Sequence, residues 1–375
     1  MTTTFSIHTT VHMGSNALEQ LRELPIKKAL VVCDPFLSQN GGIKYVTDQL
    51  EAMGAQWELF DQIVPNPTVD LVSSGVSRIL ECQPDTLIAL GGGSAIDAGK
   101  AISFIYTKMG SAEKPMFIAV PTTSGTGSEA TSFSVLSDPS VGSKYPLIDD
   151  QMLPDVALLD PSLTVSVPPH VTADTGLDVL THVVEAFVSP MANDFTDALA
   201  EKAFKMVFEY LPRAVKNGQD FEARERLHNA SCMAGMAFNN ASLGICHGMA
   251  HAMGELLHLA HGRSNALLLP HVIAFNAGLG EQGDFPARAR YAALAKMAGC
   301  CCYTETVAVQ SLVRRINDLM TEVGLPHKLE DAEHRARVSE HLDDLAKAAL
   351  ADRCTAGNPR SAQPEQVREL YKKLV

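Results

Sequence analysis

A chain of 375 residues is long enough for two hydrophobic cores, and its 43 acidic against 30 basic side chains give a formal charge of −13, which disfavours nucleic acid as a partner. The opening MTTTFSIHTTVHMG lacks the basic and long apolar regions of a secretory leader, and no apolar run reaches membrane-spanning length, so a cytoplasmic protein without membrane attachment is expected. Eight cysteines in so long a chain do not suggest a disulfide framework; they read as reduced thiols, with Cys300, Cys301 and Cys302 as packing or surface residues.

In the first part of the chain, apolar runs at 28–33, 56–60, 86–90, 116–120 and 156–160 alternate with helical patterns. This predicts a mainly parallel sheet with helices on both faces. The first run ends at Asp34, just before Pro35. A carboxylate there can accept hydrogen bonds from both hydroxyls of an adenosine ribose and repel a 2'-phosphate, or it can cap a helix or turn.

The run at 86–90 leads into Gly91, Gly92 and Gly93, with an amphipathic helix expected from Ala95. Without Cβ atoms, the glycines let backbone N–H groups approach a phosphate, and a helix N-terminus adds further donors and partial positive charge. Ser94 is placed as N-cap and phosphate ligand, with Asp97 in the first turn. After the run at 116–120, PTTSGTGSEAT offers Thr122, Thr123, Ser124, Thr126 and Ser128, at the carboxyl edge where parallel sheets bind ligands.

Beyond Pro168 and Pro169 the pattern is helical, at 171–188, 194–215, 222–240, 245–258, 265–278, 286–298 and on to the end. The expected domains are therefore 1–165, an α/β nucleotide domain, and 166–375, an all-helical domain, with the active site in the cleft between them. Asp178 and His182 stand four residues apart, as do His247 and His251, so each pair shares a helix face; His261 follows after a break near 260–262. One carboxylate and three imidazoles suit Fe(II), Zn(II), Mn(II) or Co(II) and leave a position open for a substrate oxygen. His8, His12, His170, His228, His327, His334 and His341 read as ordinary core or surface residues. His258 could line the pocket mouth, and His271, after Pro270, reads as structural.

With these motifs in place, the chain resembles the iron-containing, or group III, alcohol dehydrogenases. The family's GGGSxxDxxK stands at 91–100, PTTxGTGSExT at 121–131, DxLTHxxE at 178–185, HGxAHxxG at 247–254 and HG at 261–262; NPT at 66–68, LLPHV at 268–272 and NPR at 358–360 extend the likeness nearly end to end. The resemblance implies a Rossmann-like domain followed by a helical metal-binding domain, an architecture shared with dehydroquinate synthase. It implies Fe2+, with Zn2+ as an alternative, on Asp178, His182, His247 and His261, and His251 close to substrate and cofactor. It also implies NAD contacts from Asp34, Asn66, Gly92, Gly93, Ser94, Thr122, Thr123, Val135 and Lys144, to which Asp97 is added from its place on the helix.

Within that family, the segment at 166–212, the LHLAHG form of the last ligand segment and KYPL at 144–147 are most similar to the 1-propanol dehydrogenases of propanediol-utilising microcompartments. That likeness implies reduction of propanal to 1-propanol with NAD regeneration, a homodimer or larger homo-oligomer, and contact with a microcompartment shell or co-encapsulated enzymes. Ethanol, 1,3-propanediol and lactaldehyde enzymes share the catalytic motifs and stand as alternatives. A phosphate-eliminating cyclase like dehydroquinate synthase is disfavoured by the Asp and three His pattern, and a non-enzymatic metal-binding protein by the glycine turn and threonine loop. In the expected chemistry His251 relays the proton, His258 could extend the relay, and Phe133 and Phe238 could shape an apolar pocket.

Overall fold

The computed structural model describes residues 4–110, 113–138 and 143–375, apart from the side chains of 138 and 143–146. The described residues form two compact units, Ser6–Ser166 and Val167–Val375, the latter including Phe5, whose ring stacks on Phe195 at 5.2 Å.

The first unit contains β1 (Thr10–Met13), β2 (Lys28–Val32), α1 (Pro35–Gln39), α2 (Lys44–Ala52), β3 (Gln56–Phe60), α3 (Val69–Cys82), β4 (Thr86–Gly91), α4 (Gly93–Lys108), β5 (Met116–Pro121), β6 (Phe133–Asp138), β7 (Ser143–Ile148) and β8 (Val156–Leu159). A six-stranded sheet runs β1-β8-β5-β4-β2-β3 with every pairing parallel. Its central strands are apolar on both faces, and alternate residues enter separate cores. Leu30, Val32, Leu87, Ala89 and Phe117 pack with Val72, Val76 and Ile79 of α3, while Val31, Ile88, Leu90 and Ile118 pack with Val46 and Leu50 of α2. This double burial explains why the strands stand out as continuous apolar runs.

Chain direction across the sheet reverses beside β2. The chain steps outward from β2 to β3, then returns past β2 to β4, leaving a crevice at the carboxyl ends of β2 and β4. Such a switch point is the ligand-binding position of open parallel sheets. Asp34 lies at one side of it and the glycine turn at the other.

Three strands are absent from the sequence-predicted elements. Among the described residues β1 is a four-residue edge strand paired only with β8, and β6 and β7 form an antiparallel hairpin outside the main sheet, with Pro146 in β7. Short, polar or proline-containing edges lack the apolar run that marks a central strand.

The second unit is helical: α5 (Pro169–Val188), α6 (Asp194–Lys216), α7 (Phe221–Ala241), α8 (Ile245–Leu257), α9 (His261–Asn276), α10 (Ala287–Met297), α11 (Glu305–Glu322), α12 (Ala332–Glu340), α13 (Leu342–Ala351) and α14 (Pro364–Lys372). α5 packs against α6, α7 and α9, so it is buried all round from Leu177 to Val188. Asp178, Thr181, His182 and Glu185 are polar residues inside this otherwise apolar stretch and require a compensating reason for their burial. Among the described residues no helix is long and apolar enough to cross a membrane.

Candidate metal and cofactor sites

Three helices bring the ligand-type side chains together. Asp178 and His182 project one turn apart from α5, His247 and His251 likewise from α8, and His261 opens α9. α8 ends where His258 adopts a left-handed conformation with φ of 54°, and the chain turns through Leu259 and Ala260 into α9. Close approach of α9 to α5 depends on Gly262. A Cβ there would lie 2.1 Å from Asp174 O and 3.2 Å from Asp178 Cβ, so any larger residue would lift His261 away from Asp178.

The ligand atoms of Asp178, His182, His247 and His261 lie within 4.8 Å of one another. His261 Nε2 is 3.5 Å and His247 Nε2 3.8 Å from Asp178 Oδ1. The His182 ring stacks between those of His247, 4.7 Å away, and Phe238, 4.6 Å away. His251 stands beside this group, its ring stacked on His261 at 5.1 Å, with its Nδ1 2.8 Å from Asp352 Oδ2.

Burial dominates the electrostatics of the cluster. It raises the Asp178 carboxyl above its ordinary range, lowers His182 to about 3, and pushes His247 well down, with neighbouring imidazoles adding to the last effect. Burial thus favours the neutral form of His182 and His247, the form that offers a lone pair to a cation. His182 Nδ1 is buried without a hydrogen-bond partner, and no protein cation stands among the four donors to offset the carboxylate. A divalent cation would offset the buried carboxylate, and the nitrogen and oxygen donor set fits one.

Two further residues organise the cluster. Glu185, one turn beyond His182, lies 2.5 Å from His247 Nδ1 and accepts the backbone N–H of Cys246 at 2.7 Å. Accepting from Nδ1 fixes the tautomer that leaves the Nε2 lone pair toward Asp178, the usual support for a metal-bound histidine. Burial raises the Glu185 carboxyl to about 7, against three backbone hydrogen bonds that pull it down. Asn265 places Nδ2 2.8 Å from Asp178 Oδ1, 3.1 Å from His247 Nε2 and 3.2 Å from His261 Nε2. Both residues were accessible to helical spacing, Glu185 three after His182 and Asn265 four after His261. Asp352 was not, since 101 residues separate it from His251.

In the α/β unit, the glycine turn departs from expectation in one respect. Gly91 takes φ of 150°, Gly92 is extended and serves as N-cap, and α4 begins at Gly93, so Ser94 lies within the first turn instead of capping it. A glycine able to occupy the left-handed side lets the chain enter the helix two residues early. The threonine loop packs directly on this turn: Thr122 N–H donates to Gly91 O at 3.0 Å, and a Cβ on Gly93 would meet Thr126 Cγ2 at 2.7 Å.

Asp34 caps α1 through Oδ1, which accepts Leu37 N–H at 3.0 Å, while Oδ2 lies 3.8 Å from where a Cβ on Gly91 would stand. One oxygen is thus structural and the other lies beside the glycine turn. Asn66 holds a left-handed φ of 55° in the loop after β3. Asp97 accepts from Ser128 Oγ at 2.6 Å and from Val135 N–H at 3.0 Å, tying helix, threonine loop and hairpin together. Fully buried Lys100 donates to Ser128 Oγ, Thr131 Oγ1 and Phe133 O, and burial lowers it to about 8 despite Asp97 and Glu129. Lys144 pairs with Ser137 along the hairpin, and its side chain lies outside the described residues.

Of the remaining expectations, Phe238 packs on the ligand cluster, Phe133 is tied to Lys100, and His258 is an exposed helix terminus. His271 lines a separate cavity of about 380 Å³ with His327, Lys328 and Lys373. All eight cysteines are free thiols, with Cys301 and Cys302 exposed.

A sequence model described as iron-containing alcohol dehydrogenase matches residues 8–161, and one described as the C-terminal part of the Fe-containing alcohol dehydrogenase family matches 172–375. The chain is 44% identical over 375 residues to the 1-propanol dehydrogenase PduQ of Citrobacter freundii, covering 99% of each. It superimposes on a solved 1,3-propanediol oxidoreductase with TM-score 0.92 at 31% identity and complete coverage of both chains. A sulfoacetaldehyde reductase from Bifidobacterium kashiwanohense in complex with NAD+ gives TM-score 0.87 at 27% identity, covering 100% of this chain and 99% of that one.

Proposed function

Because the chain belongs to the iron-containing alcohol dehydrogenase family, an oxidoreductase family that works with iron and NAD(H), we propose that it reduces propanal to 1-propanol and thereby regenerates NAD. That it interconverts alcohols and aldehydes follows from the family; the choice of propanal is supported by the full-length likeness to PduQ. The observation that carries the reading is the convergence of one buried carboxylate and three imidazoles within 4.8 Å with no protein cation among them.

Asp178, His182, His247 and His261 would hold the iron, and Gly92, Gly93, Ser94, Thr122, Thr123, Asn66, Val135 and Lys144 the NAD. When bound, the two groups supply a Lewis acid for the substrate oxygen and a hydride donor or acceptor for its carbon. Residues of the chain do the rest. Glu185 orients His247, and Asn265 donates to Asp178, so the donors are held in place before a cation arrives. Asp97 and Lys100 hold the threonine loop against the glycine turn, whose N–H groups would receive the pyrophosphate. Aldehyde reduction needs a proton on oxygen as well as hydride on carbon. His251 gives that proton from Nε2, because Nδ1 is engaged by Asp352. Phe238 beside His182 supplies apolar surface that excludes water from a short alkyl chain. The same reading gives a homodimer or larger oligomer, cytoplasmic and associated with a propanediol-utilisation microcompartment.

Anaerobic NADH oxidation by the iron-loaded protein tests the assignment. Propanal is expected to give a higher kcat/KM than acetaldehyde, 3-hydroxypropanal or lactaldehyde. A higher value for another aldehyde would move the substrate within the family. Phosphate release from a sugar phosphate without net NADH turnover would replace the reading altogether.

Asp34 sets the cofactor preference in this proposal. Its carboxylate would accept from the ribose hydroxyls of NAD and repel the 2'-phosphate of NADP. Asp34→Gly should therefore raise the kcat/KM ratio of NADPH to NADH by about tenfold, equivalent to about 1.4 kcal/mol. Loss of the Leu37 cap would lower stability in this variant, so Asp34→Asn, which keeps a capping oxygen, is the companion measurement. An unchanged ratio in both would remove Asp34 from the ribose.

A further inference from the structure

We propose that His251, Asp352 and Cys354 form a second metal site, selective for a thiophilic divalent cation such as Zn2+, whose occupancy clamps His251 and inhibits the enzyme. A nitrogen of His251, a carboxylate oxygen of Asp352 and Sγ of Cys354 lie within 4.8 Å of one another, separate from the Asp178, His182, His247 and His261 set. The donors come from α8 and from the turn that follows α13.

The backbone builds this arrangement. Asp352 Oδ1 accepts Cys354 N–H at 2.8 Å and so caps the short turn Arg353–Gly357, which sets Cys354 beside the carboxylate. Its Oδ2 engages His251 Nδ1 at 2.8 Å. The turn can seat against α8 because residue 248 is glycine: a Cβ there would lie 2.3 Å from Thr355 Oγ1 and 2.8 Å from Ala349 O.

Tetrahedral zinc, with bonds of about 2.0 to 2.3 Å, holds nitrogen, oxygen and sulfur donors about 3.3 to 3.6 Å apart. The His251–Asp352 pair need only open by roughly half an ångström and the sulfur close by little more than about 1 Å, changes within the reach of side-chain rotation. Side-chain exposures of 32% for His251 and 21% for Asp352 give a cation access from solvent. On binding, the Cys354 thiol proton passes to solvent and the His251 ring proton moves through exchange with water from Nδ1 to Nε2, so a neutral imidazole and a thiolate meet the cation with no change of oxidation state.

Selectivity follows from the sulfur. The first cluster offers only nitrogen and oxygen, whereas Cys354 adds a thiolate, which favours zinc or cadmium over Fe(II). Among the described residues, the surface thiols at 300–302 belong to no comparable group. Inhibition rests on the proton-relay role proposed above for His251. Binding does not.

Anaerobic titration of the iron-loaded protein with Co2+ tests binding directly, since a thiolate-to-cobalt charge-transfer band cannot arise from the sulfur-free cluster. One equivalent should produce the band with iron retained. Cys354→Ser and Cys354→Ala should abolish it, and Cys301→Ser should keep it. No band in the parent, or a band surviving both changes at 354, overturns the site. Zinc should displace the cobalt and inhibit the parent at concentrations at least about tenfold lower than those needed for Cys354→Ser. Equal sensitivity, or loss of iron as zinc enters, overturns the inhibitory role. Zinc bound with unchanged turnover also overturns it, and normal turnover in His251→Ala would then place the fault in the relay reading.

Discussion

His182→Ala and His261→Ala are each expected to lose bound iron and to lower kcat/KM for aldehyde reduction by at least about a hundredfold, or about 2.8 kcal/mol. Each substitution removes one of four donors, and the remaining three leave the buried Asp178 carboxylate less well compensated. The two positions differ in what else they disturb. His182 is buried against Phe238 and His247, so its truncation also opens a cavity, whereas the His261 side chain is 41% exposed and its loss should leave the fold intact. Elemental analysis beside steady-state kinetics checks the prediction. Full occupancy with normal turnover in both variants would remove these residues from the metal site.

His251→Ala should behave differently. Iron and NAD binding are expected to persist, because His251 lies outside the four-donor group, while kcat falls by about 10² to 10⁴ and the pH profile flattens. Asp352→Asn should give a smaller fall of the same kind, since the amide weakens the hold on Nδ1 without removing the ring. If His251→Ala loses its metal while His247→Ala retains it, the two histidines have exchanged roles. Turnover unchanged by the loss of His251 would leave proton delivery to another group.

The sequence alone made the strands of the parallel sheet legible, because burial on both faces demands uninterrupted apolar runs such as 86–90. It also exposed the paired ligand-type side chains, because Asp178 and His182, or His247 and His251, are spaced by one helical turn and share a face wherever their helices finally pack. Edge elements were less visible. β1 and the β6–β7 hairpin gain their order from pairing, and their own residues carry little of the pattern.

The start of α4 was displaced for a related reason, since glycines report that an unusual backbone is allowed but not where it is used. Gly91 takes the positive φ and Gly92 the cap, which moves Ser94 into the helix. Asp34 admitted two readings on sequence grounds, and the structure gives one of its oxygens to the α1 cap.

Contacts between segments distant in the chain were decided by tertiary packing alone. Gly262 presses α9 against α5 and brings His261 to Asp178; Glu185 reaches His247 across 62 residues, and Asp352 reaches His251 across 101. Local spacing determines which side chains share a helix face, because it depends only on the rise and turn of the backbone. Which face meets which depends on the shape of every side chain between them, and no short pattern carries that information.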